Sequence, residues 1–207
     1  MNHDHIHWLG HASFCIEDGP KRIFFDPWKL SPSVPLADLI LITHSHYDHF
    51  SIDDIRRITK DTTAIVAPVD VAKQLKGNVI ALKPGETLSI QEWTIETIPA
   101  YNLGKQYHQK ANNWVGYILT LSHGQRIYHA GDTDFTPEMR NVRSDVALLP
   151  CGGTYTMTAK EAAAAANAFR PKLVIPMHWG DIVGSKNDAE EVKKAFQGET
   201  VIKSPER

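Results

Sequence analysis

Cysteine is scarce in this chain: Cys15 and Cys151 are the only two in 207 residues. They are too few and too far apart to build a disulfide framework or a thiolate metal cluster. No apolar run is long enough to span a bilayer, and the start Met1-Asn2-His3-Asp4-His5 lacks the basic-then-apolar order of an export signal. A membrane is therefore not an expected partner, and the expected location is cytoplasmic. Basic excess is missing as well, with 22 Lys and Arg against 24 Asp and Glu. No cluster of basic residues is interleaved with aromatics, which excludes a surface for gripping a nucleic-acid polymer. Low-complexity stretches and linkers are also lacking. At 42% hydrophobic content, residues 1–207 are expected to form one domain with one sizeable core. Cys151 follows the apolar run Val146 to Leu149 and reads as a small buried thiol.

What the chain does have is alternation between strand and helix signals. Ser13 to Ile16 and Arg22 to Phe25 flank Asp18-Gly19-Pro20 and read as a hairpin. Leu39-Ile40-Leu41-Ile42 is a short continuous apolar run, as in a strand covered on both faces. Ala64 to Ala67 and Val79 to Leu82 read as strands around a helix from Val69 to Leu75. The middle is β-rich, with strands at Thr87 to Ile90, Trp93 to Ile98, Val115 to Leu121 and Arg126 to His129. Val146 to Leu149, an alanine-rich helix from Ala159 to Phe169, Leu173 to Ile175 and a helix from Ala189 to Phe196 complete the pattern. The run Ala162 to Ala166 has high helix propensity and small side chains that let a helix lie close on a sheet. Periodicity thus gives a mixed α/β class.

The chemistry concentrates at the end of the strand Leu39 to Ile42. His44, His46, Asp48 and His49 crowd three imidazoles and a carboxylate into one short turn. Such crowding is destabilising unless something offsets desolvation and mutual repulsion, and a cation does both. In an extended segment His44, His46 and Asp48 project to one side, so two imidazoles can reach one cation with the carboxylate close by. Ser51 is a good N-cap for a helix that presents Ile52, Ile55 and Ile58 on one face. The donors therefore occupy a strand-to-helix turn, where α/β folds place their chemistry.

Further motifs follow in order: His108 ahead of Trp114-Val115-Gly116-Tyr117, then Gly131-Asp132-Thr133, then Pro176-Met177-His178-Trp179-Gly180. Together with the first motif they resemble the metallo-β-lactamase superfamily. The likeness extends to Trp8-Leu9-Gly10-His11-Ala12-Ser13-Phe14, Phe25-Asp26-Pro27-Trp28 and Gly152-Gly153-Thr154-Tyr155-Thr156-Met157. Within the superfamily these motifs are similar to small metal-dependent hydrolases related to ascorbate-6-phosphate lactonase.

The resemblance implies an αβ/βα four-layer sandwich with two facing mixed sheets. It assigns His44, His46 and His108 to one metal, and Asp48, His49 and His178 to a second, with Asp132 bridging. His11 and Asp26 match positions beside the metals, where they would orient a ligand. Two divalent cations, zinc or manganese with iron and nickel also compatible, suit imidazole and carboxylate donors. Roughly 3.5–4 Å apart, such ions hold a bridging hydroxide as nucleophile, so no serine or cysteine triad is needed. Asp48 and Asp132 are the expected catalytic carboxylates.

The expected activity is hydrolysis of a small, anionic ester, a lactone or a phosphodiester. The expected partner is a small-molecule substrate, with a homo-oligomer left open. The alternative is a non-catalytic metal-binding protein or a redox di-metal protein on the same fold. His129 competes with His108 as a ligand, but along a straight strand Tyr128, Ala130 and Asp132 face one way and His129 the other. His3, His5 and His7 read as solvated. Trp28, Tyr155 and Trp179 flank the motifs and are candidates to line a substrate cleft.

Overall fold

A computed structural model describes residues 2–206, and the chain divides into two compact units. The N-terminal unit takes the residues up to Lys83 together with the tail from Ser204, and the C-terminal unit takes Pro84–Lys203.

In the N-terminal unit, β1 (Ile6–Gly10), β2 (Ser13–Asp18) and β3 (Lys21–Phe25) form an antiparallel meander. The β2–β3 hairpin closes through Gly19, whose φ of 61° is the left-handed backbone that glycine adopts without strain, and Pro20. The sheet then continues in parallel through β4 (Leu39–Leu41), β5 (Ala64–Ala67) and β6 (Val79–Ala81). Strands β4 and β5 are buried along their whole length, as parallel strands covered on both faces should be. Helix α1 (Ile52–Ile58) begins at Ser51, whose side chain accepts from the Asp54 N–H. It lays Ile55 and Ile58 against Phe24, Ile40, Ile42 and Ile65. Each fully buried isoleucine contributes about 1.5–3 kcal/mol. The helix expected from Val69 to Leu75 is α-helical only over α2 (Val69–Ala72). Gln74 and Leu75 bond back three residues in a tightened turn ahead of Gly77.

In the C-terminal unit, β7 (Thr87–Ile90), β8 (Trp93–Pro99), β9 (Val115–Thr120) and β10 (Arg126–His129) form a second antiparallel meander. It passes into parallel strands β11 (Val146–Pro150), β12 (Leu173–Met177) and β13 (Glu199–Thr200). Helix α3 (Ala159–Phe169) starts at a reciprocal Thr158–Glu161 capping box and buries five of its alanines with Phe169. It ends at Arg170 in a left-handed conformation before Pro171. Helix α4 (Lys186–Ala195) starts earlier than its apolar pattern suggests, because Ser185 and Asp188 form a second capping box. Strand β13 is too short to leave a periodic signature. Both thiols are buried, and desolvation pushes Cys15 up to about 12 and Cys151 well above the ordinary thiol range.

The two units pin the change from antiparallel to parallel pairing with the same device. Asp38, just before β4, donates its N–H to the Arg22 carbonyl at 2.8 Å. Its carboxylate accepts from the Arg22 N–H at 2.8 Å and from Lys60 Nζ at 2.6 Å. Asp145, just before β11, donates to the Arg126 carbonyl at 2.8 Å. It accepts from the Arg126 N–H at 2.9 Å and pairs with Lys172 Nζ at 2.8 Å. The carbonyls of Asp38 and Asp145 accept from Ala64 and Leu173, the first residues of β5 and β12. One aspartate per unit thus sets the register of three adjacent strands.

Burial alone would push both carboxyls up. The lysine and the arginine N–H outweigh it and hold each below its ordinary value of 3.8. A carboxyl depressed in the folded state stabilises above its unfolded pKa, and that stabilisation is lost as pH falls through the folded value. Asp38→Asn and Asp145→Asn should therefore each lower the unfolding free energy by about 1 kcal/mol near neutral pH. The deficit should shrink below pH 3.8. Urea titrations near pH 7 and near pH 3 check this, and an equal deficit at both would refute an ionic origin.

Candidate metal centre

In the N-terminal unit the donors gather around one carboxylate. Strand β3 ends at Phe25, and Asp26 turns away with φ of 42°, fully buried. A buried carboxylate without partners would cost several kcal/mol. Asp26 Oδ1 accepts from the Thr43 N–H at 2.7 Å. Its Oδ2 accepts from the Thr43 hydroxyl at 2.6 Å and from His49 Nδ1 at 2.7 Å.

This arrangement fixes proton positions on two imidazoles. The single Thr43 hydroxyl proton goes to Asp26, so the hydroxyl accepts at its 2.9 Å contact with His44 Nδ1. His44 therefore carries its proton on Nδ1, as does His49, and both keep the Nε2 lone pair for coordination. Asp26, His44 and His49 bring donor atoms within 4.8 Å of one another.

The rest of the motif departs from a straight extended segment. His49 and Phe50 both bond back to the His46 carbonyl, so residues 46–50 form a turn. His44 Nε2 and His46 Nδ1 nonetheless meet at 3.1 Å, the convergence that strand alternation anticipates. Because of the turn, Asp48 Oδ2 instead reaches His11 Nε2 at 3.0 Å and lies 3.7 Å from His49 Nε2. His11 is buried, left-handed at φ 51°, and edge-on to Trp28 at 5.2 Å.

The C-terminal unit supplies a second set. Asp132 follows β10 through Gly131, and its Oδ2 lies 3.3 Å from His108 Nε2 and 3.0 Å from His178 Nε2. All three residues are buried. His178 leaves β12 with φ of 59°. Its carbonyl packs so closely on Gly152 that any side chain at that position would clash. His129 points elsewhere: its Nδ1 accepts from the Gly131 N–H at 3.2 Å, within its own turn.

Sequence reasoning left Thr43 without a role and did not single out Asn102 or Asp134. Asn102 Oδ1 accepts from the His108 N–H at 3.0 Å and lies 3.1 Å from His108 Nδ1. Asn102 and Asp134 sit in irregular backbone with no periodicity, and only the fold brings them beside His108. Of the aromatics, Trp28 and Trp179 are buried, with Trp179 Nε1 donating to the Pro176 carbonyl. Tyr155 stacks edge-on with the exposed Tyr107 at 4.7 Å. His7 is partly shielded by Glu206 at 2.7 Å and Glu17 at 3.7 Å rather than fully solvated.

The donor chemistry of each set fits a divalent transition metal. The groups are buried imidazoles and carboxylates, and the Nδ1 atoms of His44 and His49 are held by hydrogen bonds that aim Nε2 as the ligand atom. Residues of both sets follow the carboxyl ends of strands, the edge at which α/β sheets carry their sites.

Comparison with known proteins agrees with this chemistry. Residues 5–178 match the β-lactamase superfamily domain. A protein of Thermococcus onnurineus named as a metal-dependent hydrolase is 38% identical, over 97% of this chain and 96% of its own. The crystal structure of a metal-dependent hydrolase of Parabacteroides distasonis, so described by its solvers as putative, superposes with a TM-score of 0.86 at 37% identity. That match covers 96% of this chain and 91% of the other. A metallo hydrolase of Ignicoccus hospitalis matches with a TM-score of 0.79 at 25% identity, over 97% and 94% of the two chains. The α/β architecture, the ordered motifs and these relatives converge: the chain belongs to the metallo-β-lactamase superfamily.

Proposed function

We propose that this protein is a metal-dependent hydrolase that cleaves a small, anionic ester, either a lactone or a phosphodiester. The observation that carries the reading is the pair of buried imidazole–carboxylate sets, with His44 and His49 held in ligand-ready tautomers through Thr43 and Asp26. By the motif likeness, His44, His46 and His108 would hold one divalent cation, and Asp48, His49 and His178 would hold another, with Asp132 as the carboxylate that both would share. Bound cations supply a Lewis acid for the ester and lower the pKa of water toward about 7, which makes a nucleophile available near neutral pH.

The chain's own residues then hold and orient. Asp26 fixes His49 directly and His44 through the Thr43 hydroxyl. His11 steadies Asp48 by donating from Nε2. Asp132 Oδ2, 3.3 Å from His108 Nε2 and 3.0 Å from His178 Nε2, stands beside the atoms through which both imidazoles would coordinate. Cations held by these residues would draw in a carboxylate- or phosphate-bearing substrate and would stabilise charge developing on its oxygens. The relatives' description as metal-dependent hydrolases supports the reaction class. The lactone and phosphodiester choices rest on the motif likeness to a phosphorylated-lactone hydrolase.

Two measurements test the reading. Elemental analysis of protein purified without chelators should find two transition-metal ions per chain, and Asp132→Asn should lower occupancy of both. A metal-free wild type, or an unchanged count in the variant, overturns the shared-carboxylate assignment. Metal-loaded protein should then hydrolyse at least one member of a lactone and phosphodiester panel. Asp48→Ala should lower that rate at least about 100-fold. Equal residual rates in both proteins on every ester would favour a non-catalytic metal-binding protein.

The Asp26 hub gives a separate outcome. Asp26→Ala removes the acceptor that fixes His49 and, through Thr43, His44, so metal affinity should fall about 10–100-fold. Competition against a chromogenic chelator measures it. Unchanged affinity would show that these imidazoles need no orienting partner.

A further inference from the structure

Asn102 lies in the irregular segment between β8 and β9, and its amide is fully committed in a way that dictates its orientation. Nδ2 donates to Asp134 Oδ1 at 3.1 Å and to the Tyr155 carbonyl at 2.9 Å. The carbonyl can only accept, and Asp134 is bonded as a carboxylate by two other donors: Lys105 Nζ at 2.5 Å and the Leu103 N–H at 2.8 Å. An amide with its oxygen on that side would set acceptor against acceptor twice. Oδ1 must therefore face the other way, toward His108.

There Oδ1 meets the His108 backbone N–H at 3.0 Å and the ring Nδ1 at 3.1 Å. An amide oxygen only accepts, so the ring proton sits on Nδ1 and the lone pair on Nε2, the atom 3.3 Å from Asp132 Oδ2. The Asn102 N–H also donates to the His108 carbonyl at 2.7 Å, closing the backbone around the same residue. The anchor is buried and doubly held: Lys105 Nζ bonds the Thr156 carbonyl at 2.8 Å besides Asp134.

We propose that Asn102 is a positioning residue that locks His108 in its Nδ1–H tautomer and aims Nε2 for coordination, with Asp134 and Lys105 holding the amide in place. The inference rests on the reading of His108 as a metal ligand but makes a claim of its own about the metal-free protein. It also explains why the residue is an amide. Aspartate, of the same shape, would place acceptor oxygens against Asp134 and the Tyr155 carbonyl, and alanine would offer nothing to Nδ1. His108 differs here from His49, whose Nδ1 is held by a full carboxylate. A neutral acceptor withholds the extra basicity that a carboxylate lends a ligand imidazole. The ion held by His108 should accordingly be the weaker bound of the two.

The test uses the full chain with ¹⁵N-labelled histidine, first stripped of metal and then titrated with cobalt. In the metal-free wild type, His108 should show a protonated Nδ1 and an unprotonated Nε2; the opposite pattern overturns the proposal whatever the variants do. In Asn102→Ala the ring should redistribute toward the Nε2–H form. Cobalt affinity for one ion should fall about 10–100-fold while the other is retained. Asn102→Asp should be as impaired as Asn102→Ala, and Asn102→Ser, too short to reach Nδ1, serves as the second variant should alanine prevent folding. Lost affinity with an unchanged tautomer in Asn102→Ala would reveal a merely structural role and refute the positioning claim. A wild type that binds no cobalt yet shows the tautomer and its loss in the variant would refute the metal reading and leave the positioning claim standing.

Discussion

Everything at the donor-bearing edge depends on strand register set at the opposite edge. Asp38 and Asp145 fix where β4 and β11 start relative to β3 and β10, giving the pairings Ile23 with Leu39 and Ile127 with Val146. From there β4 runs only three residues before its donor loop begins, and β11, five residues long, lies between β10 and β12, the strands that lead to Asp132 and His178. A slip of one residue would turn every side chain to the other face. Asp26 and Thr43, which leave neighbouring strands and must meet at 2.6 Å, would then part. Hydrogen-bonding geometry at these loops is thus a consequence of two surface-side ion clusters.

The second constraint is charge burial. Asp26, Asp132 and Asp134 are all buried among polar partners. A carboxylate withdrawn from water is tolerable only when donors surround it. Asp26 meets the requirement with Thr43 and His49, and Asp134 with Lys105, Asn102 and the Leu103 N–H. These partners double as the parts that orient imidazoles, so the groups that make the carboxylates bearable also prepare the ligands. Left-handed backbone at His11, Asp26 and His178 belongs to the same trade: non-glycine residues held at positive φ carry strain, which the surrounding bonds override.

Much of this was legible in the sequence. Continuous apolar runs marked β4 and β11, and the Ser51 cap marked α1, because burial on both faces and capping leave local signatures. Strand parity sets His129 apart from Asp132, and in the structure the His129 Nδ1 accepts from the Gly131 N–H. Alternation failed at residues 46–50, where a backbone turn replaces the extended segment and sends Asp48 toward His11. Asn102 and Asp134 left no trace, since a side-chain network among irregular segments has no period to read. The matched pair of aspartate clamps was equally silent: Asp38 and Asp145 sit among unremarkable charges, and their equivalence shows only when the strands are paired.

The chain's last described residues give the N-terminal sheet a protected border. Glu17 donates to the His5 carbonyl, so odd-numbered positions of this segment bond toward β2 and the Trp8 carbonyl points outward. The Glu206 N–H takes that carbonyl at 2.8 Å, and the Glu206 side chain meets His7. An open strand edge is a template on which a second molecule can add its own strand. Here the Glu206 N–H takes up one acceptor of that template with a carboxylate beside it, which places a charge where a second strand would have to pair.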